Sequence, residues 1–433
     1  MMASHIGIIA EHKPGEGRIP LTPSQIQNLL HQYPDLSIVV QPSKQRKFRD
    51  QEFSSRGIDM TSALQDANLV MAVKEIVVKN IIANQAYLFF SHTIKGQNYN
   101  MPMLQHILDV GATLIDYELI RDETNRRLVF FGRHAGLAGM VNTLWSYGKR
   151  QNAGGVKSPF LKIKQAMDYH DLEEITLSLQ ILGSEISRWL ADKAPIVIGI
   201  TGYGNVSKGA QEIIANFQIM ELSPEELLAT DLSAYAGQII KVVFKESDMF
   251  EPKSASDNFE LQDYFDNPEK YQSKFKRYLD KLNILVNCIY WDTPYPRLIT
   301  LEEIKEHYRN KPSLSIVGDI TCDIDGAIQF NIGSTLSPDP VYTFNPETGA
   351  REMGFKGEGP LLMAIDNLPT ELPRESSEVF GEALLPFVHA MGVCDYSKPF
   401  ESLALPPEIK RAVIVHRGQL TPEFNYLKQY LKA

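Results

Sequence analysis

A chain of 433 residues is too long for one ordinary core; at roughly 100–200 residues per domain it should fold as two or three units. Its composition, 43% hydrophobic and 22% charged, is that of a globular protein and excludes a disordered or fibrous one. The formal charge of −10 excludes a nucleic-acid partner, which requires a basic footprint to displace counterions, and the single basic cluster, Lys44–Arg49, reads as a solvated loop.

In chain order, short apolar runs at Ile6–Ala10, Ser37–Val40, Asn68–Val73, Tyr87–Phe90 and Ala112–Ile115 alternate with amphipathic stretches. Runs this short and this apolar predict strands buried on both faces, hence a parallel sheet covered by helices. The first intervening helix is signalled by Thr22 as N-cap, Pro23 at the first helical position, and Ile26, Leu29 and Leu30 at helical spacing. The opening segment has too few apolar residues before Glu11 and His12 for a signal peptide, and no run approaches the roughly 20 residues needed to cross a bilayer. Cys288, Cys322 and Cys394 are odd in number and far apart, so neither a disulfide framework nor a metal site is expected. A cytoplasmic protein without a membrane partner is the expectation; a homo-oligomer is left open.

Gly132–Arg150 reads as a helix of small residues suited to close packing or to joining two domains, and Leu172–Asp192 as a long amphipathic helix. The pattern then becomes strand, glycine turn, helix in "VIGITGYGNVSKGAQ", and further runs at Ile239–Phe244, Ile284–Cys288, Leu314–Val317 and Leu361–Ile365 continue a second α/β unit. The segment from Leu368 reads as helical and should return to the first unit. The fold class is therefore α/β: two Rossmann-like domains with parallel sheets separated by a cleft. Residues 1–145 plus 368–433 are assigned to a substrate and catalytic domain, and 146–367 to a dinucleotide-binding domain.

At the glycine turn, Gly202 and Gly204 permit a tight strand-to-helix connection, and the helix opening at Asn205 and Val206 offers amide groups and a positive dipole end to a pyrophosphate. Ser207 occupies the third glycine position and Gly209 follows two residues later, so the spacing departs from G-x-G-x-x-G. An acidic residue roughly 20 positions further on normally holds the adenosine ribose, a place taken by Glu221. Glu221 points to NAD, whereas Lys208 or Lys245 would compensate the 2′-phosphate of NADP.

The ionisable groups of the first domain fall at successive strand ends: Lys74 and Glu75, then His92 and Lys95, then Asp116 and Glu118, with Arg18 in the loop after the first strand. Ligands of parallel α/β sheets bind beyond the carboxyl ends of the strands, so these groups should converge on one edge. Neighbouring cations and desolvation lower a lysine pKa and histidine titrates near neutrality, so Lys74 and His92 suit proton transfer. Arginine and lysine there also suit substrate carboxylates.

The segments "FFSHTIKGQ", "LIDYELI", "VFFGRHAGLAGM", "TGYGNVSKGAQEI", "IYWDTPYPRLIT" and "AIDNLPTELPRESSEVFGEALLPFV" resemble the lysine-ketoglutarate reductase domain of the α-aminoadipic semialdehyde synthases. More distantly they resemble the lysine-forming saccharopine dehydrogenases and the alanine dehydrogenase/transhydrogenase group. The resemblance implies condensation of L-lysine with 2-oxoglutarate and reduction of the imine to saccharopine, with NADPH as the usual cofactor and NADH in the fungal relatives. It further implies that Lys74 and His92 are the acid–base pair and that Arg18, Lys95 and Arg127 bind substrate carboxylates or steady the site. By the same resemblance, Glu75 and Glu118 tune the lysine and histidine, and Asp319 lies near the substrate and nicotinamide. Gly17 stands where many members have a second arginine. Reaction in the lysine-forming direction, or another amino-acid or opine dehydrogenase such as alanine dehydrogenase, is the alternative within the enzyme class. A non-catalytic dinucleotide-binding regulator is the alternative outside it.

Overall fold

The computed structural model describes residues 4–310 and 312–431. The chain divides into two compact units, one running to Phe131 and resuming at Pro373, the other spanning Gly132–Leu372. The sequence reading placed these boundaries at 145/146 and 367/368; the first cuts through a helix that runs unbroken from Gly132 to Ala153 and belongs wholly to the second unit.

The first unit opens with β1 (Ser4–Ile8), β2 (Leu36–Val40), β3 (Asp59–Met60), β4 (Leu69–Met71), β5 (Ala86–Phe89) and β6 (Thr113–Asp116). They pair in parallel in the order β3-β2-β1-β4-β5-β6, so the chain moves outward one way from β1 and the other way from β4. Every residue of β4, β5 and β6 is buried, as near-continuous apolar runs require of a sheet covered on both faces. Helix Pro23–Gln32 starts as its sequence dictates: the Thr22 side chain accepts from the Gln25 amide and the Gln25 side chain answers at the Thr22 amide, closing a capping box with Pro23 at the first position.

The second unit contributes β7 (Ile196–Thr201), β8 (Ile219–Glu221), β9 (Ile239–Phe244), a small antiparallel pair β10 (Phe250–Pro252) and β11 (Tyr271–Ser273), then β12 (Ile284–Asn287), β13 (Ile316–Asp319), β14 (Val341–Phe344), β15 (Arg351–Met353) and β16 (Leu361–Met363). Its main sheet has the order β15-β14-β16-β13-β12-β7-β9-β8. Strands β8, β9, β7, β12, β13 and β16 pair in parallel in that order, and β14 and β15 add an antiparallel edge beyond β16. Helix Leu172–Leu190 is capped by Asp171 and buries Ile175, Leu179, Leu182 and Ile186.

The chain then returns to the first unit through helix Pro373–Val393, which packs on helix Pro23–Gln32 and β1. The expectation of a purely helical tail is corrected here: β17 (Val413–His416) and β18 (Gln419–Leu420) extend the first sheet antiparallel beyond β6. The Val-Ile-Val run of β17 has high strand propensity and is buried against β6, a local signal that the helical reading of this segment passed over. Among the described residues no helix is long and apolar enough to cross a membrane, and no group of His, Cys, Asp and Glu is placed to hold a metal ion.

Candidate active site

Because β1 and β4 are neighbours from which the chain departs in opposite directions, the loops leaving their carboxyl ends splay apart at the place where α/β sheets bind ligands. Lys74 and Glu75 leave β4 there; Glu11, Glu16 and Arg18 leave β1. The Glu11 carboxylate accepts from the consecutive amides of Val73 (2.5 Å) and Lys74 (3.1 Å), tying the first loop to the turn that carries Lys74. Burial pushes the Lys74 ammonium below its ordinary value, and the charges of Arg18 and Lys13 push it further. Glu11 itself is raised to about 8, chiefly by burial and secondarily by the charge of Glu16, against the amide bonds that oppose the shift.

The chain leaves β5 at Phe89, and His92 takes a left-handed backbone conformation, φ 48°. Two buried groups hold this loop. The Asp116 carboxylate accepts from the Ser91 amide at 2.9 Å and from the Ser91 hydroxyl, while the Asn100 side chain donates to the Ser91 carbonyl at 2.9 Å. Asp116 is therefore an anchor of the loop rather than an open carboxylate. So held, His92 brings Nδ1 to 2.5 Å from Glu75 Oε1, with both side chains partly exposed. Burial works against ionisation of Glu75, but the hydrogen bond and charge of His92, with help from Lys74, bring its pKa down to about 2. An ionised carboxylate can only accept, so the ring proton sits on Nδ1 and Nε2 is left for a ligand.

The other substrate-site residues divide into two sorts. Arg127 stacks over Phe90 at 5.2 Å, donates through Nε to the Val129 carbonyl, and pairs loosely with Glu118 at 3.8 Å. Lys95 is exposed in the loop after β5. Arg18, by contrast, is buried over Phe131 at 4.3 Å with Nε and Nη2 taken up by the two oxygens of Glu16. The bidentate partner of Arg18 here is the protein's own Glu16. Phe90, Phe131, Phe380 and Tyr117 form one aromatic cluster beneath both arginines, and His92 stacks on Phe90 at 6.2 Å. Sequence reasoning missed Glu11 and Glu16; the available signal was five ionisable residues between Glu11 and Arg18, directly after a strand.

In the second unit, Gly202 ends β7 with φ 77°, Gly204 caps helix Asn205–Ile214, and the first turn at Asn205 and Val206 carries no side-chain cap and no acidic residue. A side chain at Gly204 would meet nothing within 4 Å, so the backbone is open to close approach. These features fit the pyrophosphate of a dinucleotide. The displaced third glycine serves packing. A Cβ at Gly209 would lie 2.1 Å from the Arg133 carbonyl oxygen and one at Gly136 1.9 Å from that of Val206, so this helix and Gly132–Ala153 meet backbone to backbone. Asp319, at the end of β13, is buried and saturated: Asn287, Thr321 and Asn331 all donate to it, and Asn287 in turn accepts from Thr201. Burial raises its pKa against those hydrogen bonds.

Glu221 does not stand beside the glycine turn. Its strand β8 is the edge strand and pairs with β9; β9 is the neighbour of β7. Glu221 is largely exposed and pairs with Lys241 at 2.8 Å. Beside the turn lies a cleft of about 350 Å³ whose lining includes Gly202, Gly204, Glu246, Tyr264, Tyr290 and Tyr295.

The alanine dehydrogenase/PNT N-terminal domain model matches residues 7–138. α-Aminoadipic semialdehyde synthase of Arabidopsis thaliana is 36% identical, the match covering 99% of this chain and 42% of that protein, so the chain spans less than half the length of this relative. The NAD(+), L-lysine-forming saccharopine dehydrogenase of Schizosaccharomyces pombe is 27% identical over 90% of this chain and 94% of its own. A solved L-alanine dehydrogenase shares the fold with TM-score 0.62 at 15% identity, covering 99% of this chain and 100% of its own. The chain is thus similar over nearly all its length to part of an α-aminoadipic semialdehyde synthase and, at lower identity, to a saccharopine dehydrogenase, and it shares its fold with an L-alanine dehydrogenase.

Proposed function

We propose that this protein is a nicotinamide-dependent oxidoreductase acting on a CH–NH bond, and that it joins L-lysine to 2-oxoglutarate to give saccharopine. The observation that carries this reading is the Glu75–His92 pair beside a Lys74 whose pKa is depressed, at the point where the first sheet's loops diverge. Condensation requires a neutral substrate ε-amine, loss of water from the carbinolamine, and a protonated imine to receive hydride, so protons must move in both directions. The bound coenzyme would supply the hydride, and NAD(P)H, lysine, 2-oxoglutarate and one proton would give saccharopine, NAD(P)⁺ and water.

In this scheme Lys74, shifted toward its free-base form by burial and by Arg18, takes the proton from the substrate ammonium. His92, oriented through Nδ1 by Glu75, handles the proton of the leaving hydroxyl through Nε2. Arg127 and Lys95 hold substrate carboxylates, Glu118 steadies Arg127, and Arg18 acts through its charge on Lys74. Asp319 fixes the ends of β12 and β13 for the nicotinamide side of the site. Gly202, Gly204, Asn205 and Val206 hold the pyrophosphate. The resemblance favours NADPH.

The test is oxidation of NADPH and NADH, followed by absorbance, with lysine plus 2-oxoglutarate and with saccharopine in reverse. Turnover dependent on both lysine and 2-oxoglutarate is expected, with none on ammonia plus pyruvate. Failure of lysine to support oxidation of either coenzyme would remove the reading.

A further inference from the structure

We propose that the residue selecting the coenzyme is Glu246, and that its carboxylate reads the two free hydroxyls of an adenosine ribose, so that this protein prefers NADH to NADPH. The inference rests on the dinucleotide reading of the glycine turn but not on the identity of the amino-acid substrate.

Its basis is the strand order. The residue that meets the adenosine ribose leaves the strand next to the one carrying the glycine turn, because only that strand end stands within reach of the nucleotide. In most such sheets this is the next strand in sequence, which is why an acidic residue about 20 positions on is sought. Here the next strand, β8, goes to the edge, and β9 pairs with β7 along all six residues from Ile196↔Ile239 to Thr201↔Phe244. The chain leaves β9 through Lys245 and Glu246. Of these two, Glu246 lines the cleft together with Gly202, Tyr203 and Gly204, whereas Lys245 is exposed and does not line it. The nearness of Glu246 is felt by Tyr203, whose phenol its charge holds above the ordinary value.

The rest of the cleft suits an adenine nucleoside without a 2′-phosphate. Tyr264, Phe265, Tyr290 and Tyr295 supply aromatic surface for a flat base. Among the described residues lining the cleft none is lysine or arginine, so a phosphate at the 2′ position would meet the Glu246 carboxylate with no cation to offset it. Glu221 cannot take this part from beyond β9, where it pairs with Lys241.

Equilibrium binding of NADH and NADPH, read by coenzyme fluorescence without substrates, tests the inference on the wild type, Glu246→Ser, Glu246→Asp and Glu221→Ser. The wild type should bind NADH about tenfold or more tighter than NADPH. Glu246→Ser should weaken NADH, strengthen NADPH and bring the ratio near unity, Glu246→Asp should restore the preference, and Glu221→Ser should keep the wild-type ratio. Tighter wild-type binding of NADPH, an unchanged ratio in Glu246→Ser with an intact thermal transition, or a shifted ratio in Glu221→Ser would overturn it. NADH-selective binding without turnover of lysine would leave this inference standing and remove the proposed reaction. Turnover of lysine with selectivity indifferent to Glu246 would do the reverse.

Discussion

In the first unit the strands spread outward from β1 and β4 in the order β3-β2-β1-β4-β5-β6, and in the second the corresponding order is β8-β9-β7-β12-β13-β16. The two sheets use the same carboxyl edge for opposite purposes. On the first, the polar side chains are charged, crowded and incompletely neutralised: Lys74 is surrounded by Arg18, Lys13, Glu16 and Glu75, and Glu75 bonds to a half-exposed His92. On the second, Thr201, Asn287, Asn331 and Asp319 are buried and satisfy one another. Groups that must exchange protons have to stay near a balance between charged and neutral forms, which partial burial beside other charges provides. Groups that must hold strand ends in register are better saturated with hydrogen bonds.

The largest break of this contrast comes from Lys74→Met combined with His92→Gln. Turnover should fall about a thousandfold or more, since each acid–base group is worth about 10²–10⁴. Dinucleotide binding, measured by titration, should not change, because neither residue belongs to the second unit. Next is Gly209→Val, whose Cβ would be driven against the Arg133 carbonyl oxygen. It should destabilise the second unit by about 1–3 kcal/mol, the usual cost of overpacking, and weaken coenzyme binding as read by urea unfolding and titration. A variant as stable as the wild type would show that the helix contact at Gly136 and Gly209 can relax.

Glu75→Gln is a smaller perturbation with a signed outcome. The Glu75 charge favours the protonated form of Lys74, so its removal should lower the Lys74 pKa further and move the acidic limb of kcat/KM to lower pH. The His92 ring loses its ionised partner as well, and kcat should fall by about tenfold. A limb that stays in place would detach it from Lys74. The smallest effect is expected at Glu221→Gln: an exposed partner of Lys241 is lost, at a cost of at most about 1 kcal/mol, with coenzyme affinity unchanged in titration.

Elements with a strong local signature were legible in the sequence. Helix Pro23–Gln32 begins where Thr22 and Pro23 require it, and β9 covers Ile239–Phe244 as its apolar run indicated. The strand-end groups Lys74, Glu75, His92 and Glu118 come to one edge because parallel strands present their carboxyl ends together. Legibility ended where partners distant in sequence decide the outcome. The two-residue β3 exists through pairing with β2, and the place of Val413–His416 in the first sheet is set by its pairing with β6, about 300 residues earlier in the chain.

By itself, then, the sequence determined the α/β class, the parallel arrangement, the glycine turn at Gly202–Gly204 and the placing of a lysine and a histidine just beyond the ends of two strands. These follow from local periodicity, capping and the fixed polarity of parallel strands. Tertiary structure decided which strand lies beside the glycine turn, and with it that Glu246 rather than Glu221 faces the cleft. The reason is physical: the hydrogen bonds of a sheet are indifferent to order along the chain, so spacing in sequence measures distance only when the intervening strand takes the neighbouring place.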